Sequence, residues 1–367
     1  MVSKELKEKI GQMIMVGFKE PELTDGCSIV RSIKNFSLGG VILYNIDLKC
    51  CLEEQKKNPD LTREEATRIC PKNILSPDQL QNLTSDLQRH SQVPLLIAVD
   101  QEGGVVSRLG PAAGFPQTES PKSLGEKDDL AATARAAEVI AGDLKRSGIN
   151  LNLAPVVDLD LNPEGLISRS GRSFGSDPKL VYRHAKAFIL AHREQGILTC
   201  LKHFPGKGSA GKDTHFEVAD VTSLYQPQEI HPFSWLIAEE LADMVMTSHV
   251  HHLGWDKEFP ITLSPKVLRV LLRDKLEYPG VVISDDLQMG AIVKRFSLEE
   301  ASLLAVKAGV DILLASNNSP AGDDPDLFLR MFEALIKGIE KRRISRSMIT
   351  TSHARIMELK KRISQRL

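Results

Sequence analysis

Gly196-Ile197-Leu198-Thr199-Cys200-Leu201-Lys202-His203-Phe204-Pro205-Gly206-Lys207-Gly208 is an apolar run that stops abruptly, turns basic and becomes a glycine-hinged loop. A near-continuous apolar run is what a strand covered on both faces requires. The loop continues through Gly211 to an acid and an imidazole two residues apart, Asp213 and His215. A strand end that delivers Lys and His, then a hinged loop that delivers Asp-x-His, has the residue types of proton transfer. A solvated loop that merely carries charge is the alternative. The combination within one short segment favours chemistry.

The same kind of run recurs along the chain at 13–18, 40–44, 95–100, 149–155, 198–203, 244–249, 280–285 and 310–316. Helical patterns lie between the runs, at 77–89, 129–147, 180–195, 227–240, 265–275, 298–308 and 326–341. Strands alternating with helices in eight units predict an α/β fold, a (β/α)8 barrel of the TIM type. An open doubly wound sheet is the runner-up, but no GxGxxG follows the first run and no P-loop occurs. The reading is one domain over 1–367, with a charged insertion at about 45–76, a Gly- and Arg-rich loop at 155–178 and a helical C-terminal tail. Long loops in a compact domain are more often functional than ornamental.

Among 367 residues, 47 Lys and Arg balance 48 Asp and Glu, giving a net charge of −1 and no reason to expect nucleic acid or an anionic membrane as partner. No apolar stretch approaches the roughly 20 residues of a membrane span. The first ten residues read as a charged amphipathic helix rather than a signal peptide, so a cytoplasmic protein is expected, or a periplasmic or exported one if a leader was removed. The five cysteines contain no CxxC pair. Cys50, Cys51 and Cys70 share one polar segment where a local disulfide could form, but reduced thiols are the expectation for a cytosolic chain.

In a barrel the site lies at the C-terminal ends of the strands. There stand Asp100, Lys202-His203, His249, Asp285-Asp286 and Asn317-Asn318. Asp285, emerging directly from a buried strand, is held as a nucleophile or metal ligand must be; Asp286 suits the alternative role of capping the next helix. Asp100 and Arg108 flank Gly103-Gly104 and could both face a polyol, as could Arg172, because charged side chains bond vicinal hydroxyls well.

Lys202-His203-Phe204-Pro205-Gly206-x-Gly208 with Asp213-x-His215, Val99-Asp100-Gln101-Glu102-Gly103-Gly104, and Ser284-Asp285-Asp286-Leu287-x-Met289 resemble glycoside hydrolase family 3. Asn152-Leu153-Ala154-Pro155-Val156-Val157-Asp158 and Arg172-Ser173-Phe174-Gly175 extend the resemblance over about 10–318, narrowing it to the bacterial β-N-acetylglucosaminidase branch of peptidoglycan recycling. The resemblance implies that Asp285 is the nucleophile and that His215, paired with Asp213, is the acid/base. It implies that Asp100, Arg108, Arg172, Lys202 and His203 bind the sugar. Lys207 stands where the family usually has His, Val105 where an Arg usually follows the two glycines, and the 45–76 insertion is longer than typical. No cofactor or metal is expected; the partner is a carbohydrate containing N-acetylglucosamine, and the protein a monomer. Three rival readings are a metal-dependent barrel hydrolase suggested by His249-Val250-His251-His252 with His203 and Asp285, a non-catalytic sugar-binding barrel and a glycoside phosphorylase.

Overall fold

The barrel strands are β1 Ile14–Val16, β2 Gly40–Ile42, β3 Leu96–Val99, β4 Leu151–Asn152, β5 Leu198–Phe204, β6 Met244–Thr247, β7 Val281–Ile283 and β8 Leu313–Ala315 in this computed structural model, which describes residues 2–211, 213–214 and 218–364. They form one eight-stranded sheet in which β8 pairs with β1 and each later strand with the next, all parallel. A bridge between Ile283 and Ile312 and a bond from Ser284 N to Ile312 O (3.0 Å) join β7 to β8 and close the ring. This is the expected (β/α)8 architecture. Every residue of these strands is buried, which is why each run reads as continuously apolar rather than alternating.

The intervening helices lie close to their expected positions, for example Pro77–His90, Leu130–Arg146 and Pro178–Glu194. Side-chain caps from Ser76, Asp129 and Asp177 start all three.

Two segments read as irregular contain structure. The loop at 155–178 holds a short helix, Leu166–Arg169. The 45–76 insertion is two helices, Leu48–Lys57 and Arg63–Ile69, the second opened by a Thr62–Glu65 capping box. Its neck is a small antiparallel ladder in which Ile46 bridges Pro71 and Asn73 N donates to Tyr44 O (2.9 Å). Cys50 and Cys70 are disulfide-bonded across it, which corrects the expectation of reduced thiols; Cys27, Cys51 and Cys200 are reduced and buried. The physical reason is local: the neck brings the two Cα atoms to 5.6 Å, a normal disulfide span. Asn318, just beyond β8, fastens the insertion to the rim by accepting from Leu48 N (2.9 Å) and donating to Ile46 O (3.1 Å).

At the opposite end of the barrel, the C-terminal helix Arg346–Ser364 packs against the N-terminal helix Lys4–Gln12. Its Ser352 and Arg355 bond Asp311, whose other oxygen accepts from Val282 N (2.9 Å). Lys360 is 1% exposed and donates to Gln12 Oε1 (2.6 Å) and Gly39 O (2.8 Å). The tail is therefore the floor of the barrel.

Burial pulls the Lys360 pKa down to about 7, whereas an unfolded lysine holds its proton to about pH 10.4. Between those limits unfolding takes up a proton, so this group's contribution to stability rises with pH and its full cost is present below about pH 7. Urea unfolding of the parent and Lys360→Met should show the parent gaining about 2 kcal/mol on the variant between pH 7 and pH 9. A difference that does not change with pH would mean that burial does not lower the pKa of this lysine.

Candidate active site

The C-terminal ends of the strands surround a cavity of about 600 Å³, within the roughly 300–1,000 Å³ usual for small-ligand sites. Asp100, Arg108, Arg172, Lys202, His203 and Asp285 all line it. Asp213 is half-buried and does not line it, and His215 lies outside the described residues. The residue between them anchors the loop: Thr214 O accepts from Ala291 N (3.2 Å), in the segment that follows Asp285.

Charge pairing holds the cavity floor. Lys202, 2% exposed, bonds Asp100 Oδ1 (2.7 Å) and Glu102 Oε1 (2.6 Å). Arg172 makes a two-pronged contact with Glu102, Nε to Oε2 and Nη2 to Oε1, both 2.7 Å. Arg108 Nη2 reaches Asp100 Oδ2 at 3.3 Å, and its guanidinium lies 5.2 Å from the centre of the Tyr44 ring. Burial alone would push both carboxyls towards neutrality, but the cations outweigh it. Lys202 and Arg108 hold Asp100 well below the usual carboxylate range, and Arg172 and Lys202 hold Glu102 near 2. The cations respond in kind: burial opposes their charge, yet the carboxylates raise Lys202 and Arg172.

The local backbone puts these groups where they are. After β3 the chain turns back in a hairpin through Gly103 and Gly104, at φ 98° and 61°, returning Arg108 beside Asp100. A Cβ on Gly103 would also meet Glu119 O at 2.2 Å. The Lys202–His203 peptide is cis, and the two side chains part. Lys202 goes to the acids that follow β3, whereas His203 Nδ1 meets Asp158 Oδ2 at 2.6 Å. Asp158 Oδ1 accepts the backbone N–H of His203 (3.1 Å) and of Lys207 (3.0 Å). Burial pushes Asp158 up and His203 well down, while those two N–H donors favour the carboxylate. We therefore assign the proton to His203 Nδ1, leaving Nε2 of a neutral ring as an acceptor.

Asp285 stands just past β7, its Oδ1 accepting from Asp286 N (2.9 Å) and its Oδ2 3.8 Å from Lys207 Nζ. Burial lowers the Lys207 pKa and the Asp285 charge opposes that. Asp286 also lines the cavity, but its Oδ1 is taken up by Gln288 N and Ser316 N (both 3.0 Å).

Sequence reasoning gave no role in this floor to Glu102 or Asp158. Glu102 follows Asp100 by two residues on an extended strand, a spacing that puts both side chains on one face and could have revealed it. Asp158 carries no comparable signal, because its partner is distant in sequence. The His249 ring is occupied by Thr262 Oγ1 (2.8 Å) and Asp286 O (2.9 Å), and His251 Nε2 by Asp256 O (2.9 Å). Among the described residues, no group of three or more His, Cys, Asp or Glu is arranged to hold a metal ion.

The family model for the glycosyl hydrolase family 3 N terminal domain matches residues 5–359. The β-hexosaminidase A of Pseudoalteromonas piscicida is 31% identical over 314 residues, which are 80% of this chain and 52% of that protein. A family 3 β-N-acetylglucosaminidase from Paenibacillus sp. str. FPU-7 superposes with a TM-score of 0.84 at 31% identity, covering 99% of this chain and 63% of that one. The β-N-acetylhexosaminidase of Beutenbergia cavernae DSM 12333 gives 0.80 at 27% identity, covering 98% and 99%. The chain thus spans about half of the first relative and nearly all of the third.

Because Glu102 balances two buried cations, its removal should be felt first in stability. Glu102→Gln is expected to lower the unfolding free energy in urea by about 3–5 kcal/mol, the usual cost of stranding a buried charge. A loss below about 1 kcal/mol would show that Asp100 alone can balance Lys202 and Arg172.

Proposed function

The chain belongs to glycosyl hydrolase family 3, and from that premise we propose that it is a retaining exo-β-N-acetylglucosaminidase acting on peptidoglycan-derived fragments. The observation that carries the reading is the convergence of Asp285 with Asp100, Arg108, Arg172, Lys202 and His203 on one cavity. The names of the relatives supply the sugar. The aglycone comes from the sequence resemblance.

In the first step a carboxylate oxygen of Asp285 attacks the anomeric carbon, and the bond to the aglycone oxygen breaks. His215 gives that oxygen its proton, leaving a glycosyl ester on Asp285 and a neutral imidazole. In the second step the imidazole takes a proton from water as the water oxygen attacks the same carbon. The ester bond breaks, and both groups return to their starting states. Asp213 orients the imidazole and favours its protonated form. Asp286 N–H and the Lys207 ammonium steady the anionic nucleophile. Asp100, Lys202 and the Nε2 of His203 offer fixed partners to sugar hydroxyls, and their mutual bonds hold them in place before substrate arrives. The Cys50–Cys70 bond supports an oxidising compartment, hence the exported alternative rather than the cytoplasm.

The nucleophile is tested by trapping. A 2-fluoro glycoside, or a 5-fluoro N-acetylglucosaminide, should label Asp285, and Asp285→Ala should release no nitrophenol from an aryl N-acetyl-β-glucosaminide. A label on Asp286 would reassign the role.

The acid/base is tested by leaving group. A low-pKa phenol departs with little protonic help, whereas a sugar hydroxyl needs a full proton. His215→Ala should therefore slow a natural disaccharide by about 10²–10⁴-fold and an activated aryl glycoside far less. Azide, which needs no base, should restore part of the rate with the aryl substrate. Equal slowing without rescue would make His215 a binding residue.

A further inference from the structure

Lys207 lines the cavity at the strand ends and is 5% exposed. Among the described residues it makes one ion pair, Nζ to Asp285 Oδ2 at 3.8 Å. The backbone fixes where its side chain starts. Lys207 N donates to Asp158 Oδ1 (3.0 Å), and Ala210 N donates to Lys207 O (3.1 Å). A Cβ on the adjoining Gly208 would meet Leu159 O at 1.8 Å, so the chain is pressed against its neighbour there. The other charges that face Lys207 are already paired. Lys202 and Arg172 are bonded to Asp100 and Glu102, and the Asp158 carboxylate is taken up by His203 Nδ1 and two backbone N–H groups. Burial holds down the pKa of the His203 and His249 rings, which also face it. The charge balance of Lys207 therefore depends on Asp285.

Such dependence acts oppositely on the two half-reactions. A buried ion pair that loses one partner leaves the other ion uncompensated. In the free enzyme the ammonium faces a carboxylate. In the glycosyl-enzyme Asp285 is a neutral ester, and the ammonium has no counter-charge at ion-pair distance among the described residues. The ammonium stabilises the carboxylate before and after turnover more than it stabilises the ester between them. It therefore opposes ester formation and favours ester breakdown, because only a difference between two states changes a rate. An uncharged side chain at this position imposes no such bias.

We propose that Lys207 acts in the second half-reaction, where its ammonium drives Asp285 out of the glycosyl ester and keeps the intermediate from accumulating. The inference rests on the glycosidase reading and assigns a step to a residue which that reading only sets beside the nucleophile. As the water oxygen bonds to the anomeric carbon, His215 takes the water proton. The electron pair of the breaking carbon–oxygen bond returns to Asp285. The ammonium meets the returning charge and keeps its own proton. Burial lowers the Lys207 pKa and the Asp285 charge opposes that. Esterification removes the opposing charge, so the ammonium holds its proton less well in the intermediate than in the free enzyme. Ester breakdown should accordingly slow as pH rises through the pKa that Lys207 has in the intermediate.

The test isolates the intermediate. The full chain, Lys207→Met and Lys207→Arg are labelled with a 5-fluoro N-acetylglucosaminide and freed of reagent, and loss of the adduct is followed by mass spectrometry of the intact protein over a pH series. Only a native site takes the label, so misfolded protein does not enter the measurement. Lys207→Met removes the charge at similar volume and should lose the adduct about tenfold more slowly, as one charge-assisted contact warrants. Lys207→Arg keeps the charge and should stay close to the parent. The parent's rate should fall at high pH, whereas that of Lys207→Arg should not. With a dinitrophenyl N-acetyl-β-glucosaminide, Lys207→Met should give a larger pre-steady-state burst of phenolate than the parent. Equal loss of adduct from the parent and Lys207→Met, or equal slowing in the Met and Arg variants, would overturn the inference and leave the glycosidase reading standing. A parent that takes no label and releases no phenolate would overturn both.

Discussion

Lys202, 2% exposed, cannot carry a charge at the mouth of the barrel without Asp100 and Glu102. Buried ions are costly unless paired, and a pair with one partner missing is worse than none. Much of the rim follows from this requirement. Two acids must leave β3 on one face, which sets the extended path of Gln101–Gly103. Glu102 has a second cation to satisfy it, so the 155–178 loop must fold inward to deliver Arg172. Asp100 has a second cation in Arg108, which the hairpin returns to it. A sugar entering such a site meets dipoles and charges that are already fixed, and little reorganisation remains to be done.

The legible part of the sequence was the part governed by burial. Strands buried on both faces write themselves as unbroken apolar runs, and all eight were read within a few residues. Asp100, Lys202, His203 and Asp285 were legible because a barrel collects its strand ends on one rim. Asp158 was not. Its value comes from meeting His203 across 45 residues of chain, and nothing near it in sequence announces that pairing. The two helices of the insertion were hidden for another reason. They are short and largely polar, with Cys51 the only buried residue of Leu48–Lys57, so hydrophobic period gave no signal. Their caps, Asp47 and the Thr62–Glu65 box, were the available clue. The link from Cys50 to Cys70 rests on a neck that only the folded chain reveals.

The two single-residue departures from the family pattern can be placed physically. Val105 is half exposed between the active-site cavity and a smaller one beside it, so this wall draws no cation from the hairpin at that position. Arg63 brings one from the insertion instead. Lys207 keeps a nitrogen near the nucleophile, at 3.8 Å from Asp285, but as a flexible ammonium with no acceptor capacity. It can favour the carboxylate's charge, yet unlike an imidazole it cannot accept a bond from a sugar hydroxyl.

The same electrostatics bear on why the proton donor would be an imidazole on a loop rather than a carboxyl on the rim. A carboxylic acid that must give up a proton near neutral pH needs its pKa raised. In this cavity the cations do the opposite: Asp100 and Glu102, although buried, are held ionised. A further carboxyl paired with these cations would be held ionised too and would arrive at the glycosidic oxygen without a proton; Asp286, which lines the cavity apart from those pairs, is instead raised by burial. An imidazole starts from about 6.5, so a modest upward push from one acid such as Asp213 is enough to charge it. It also returns as a neutral base once the proton has gone. Thr214, the residue between the two, is tied to the segment after Asp285 through its carbonyl bond with Ala291 N.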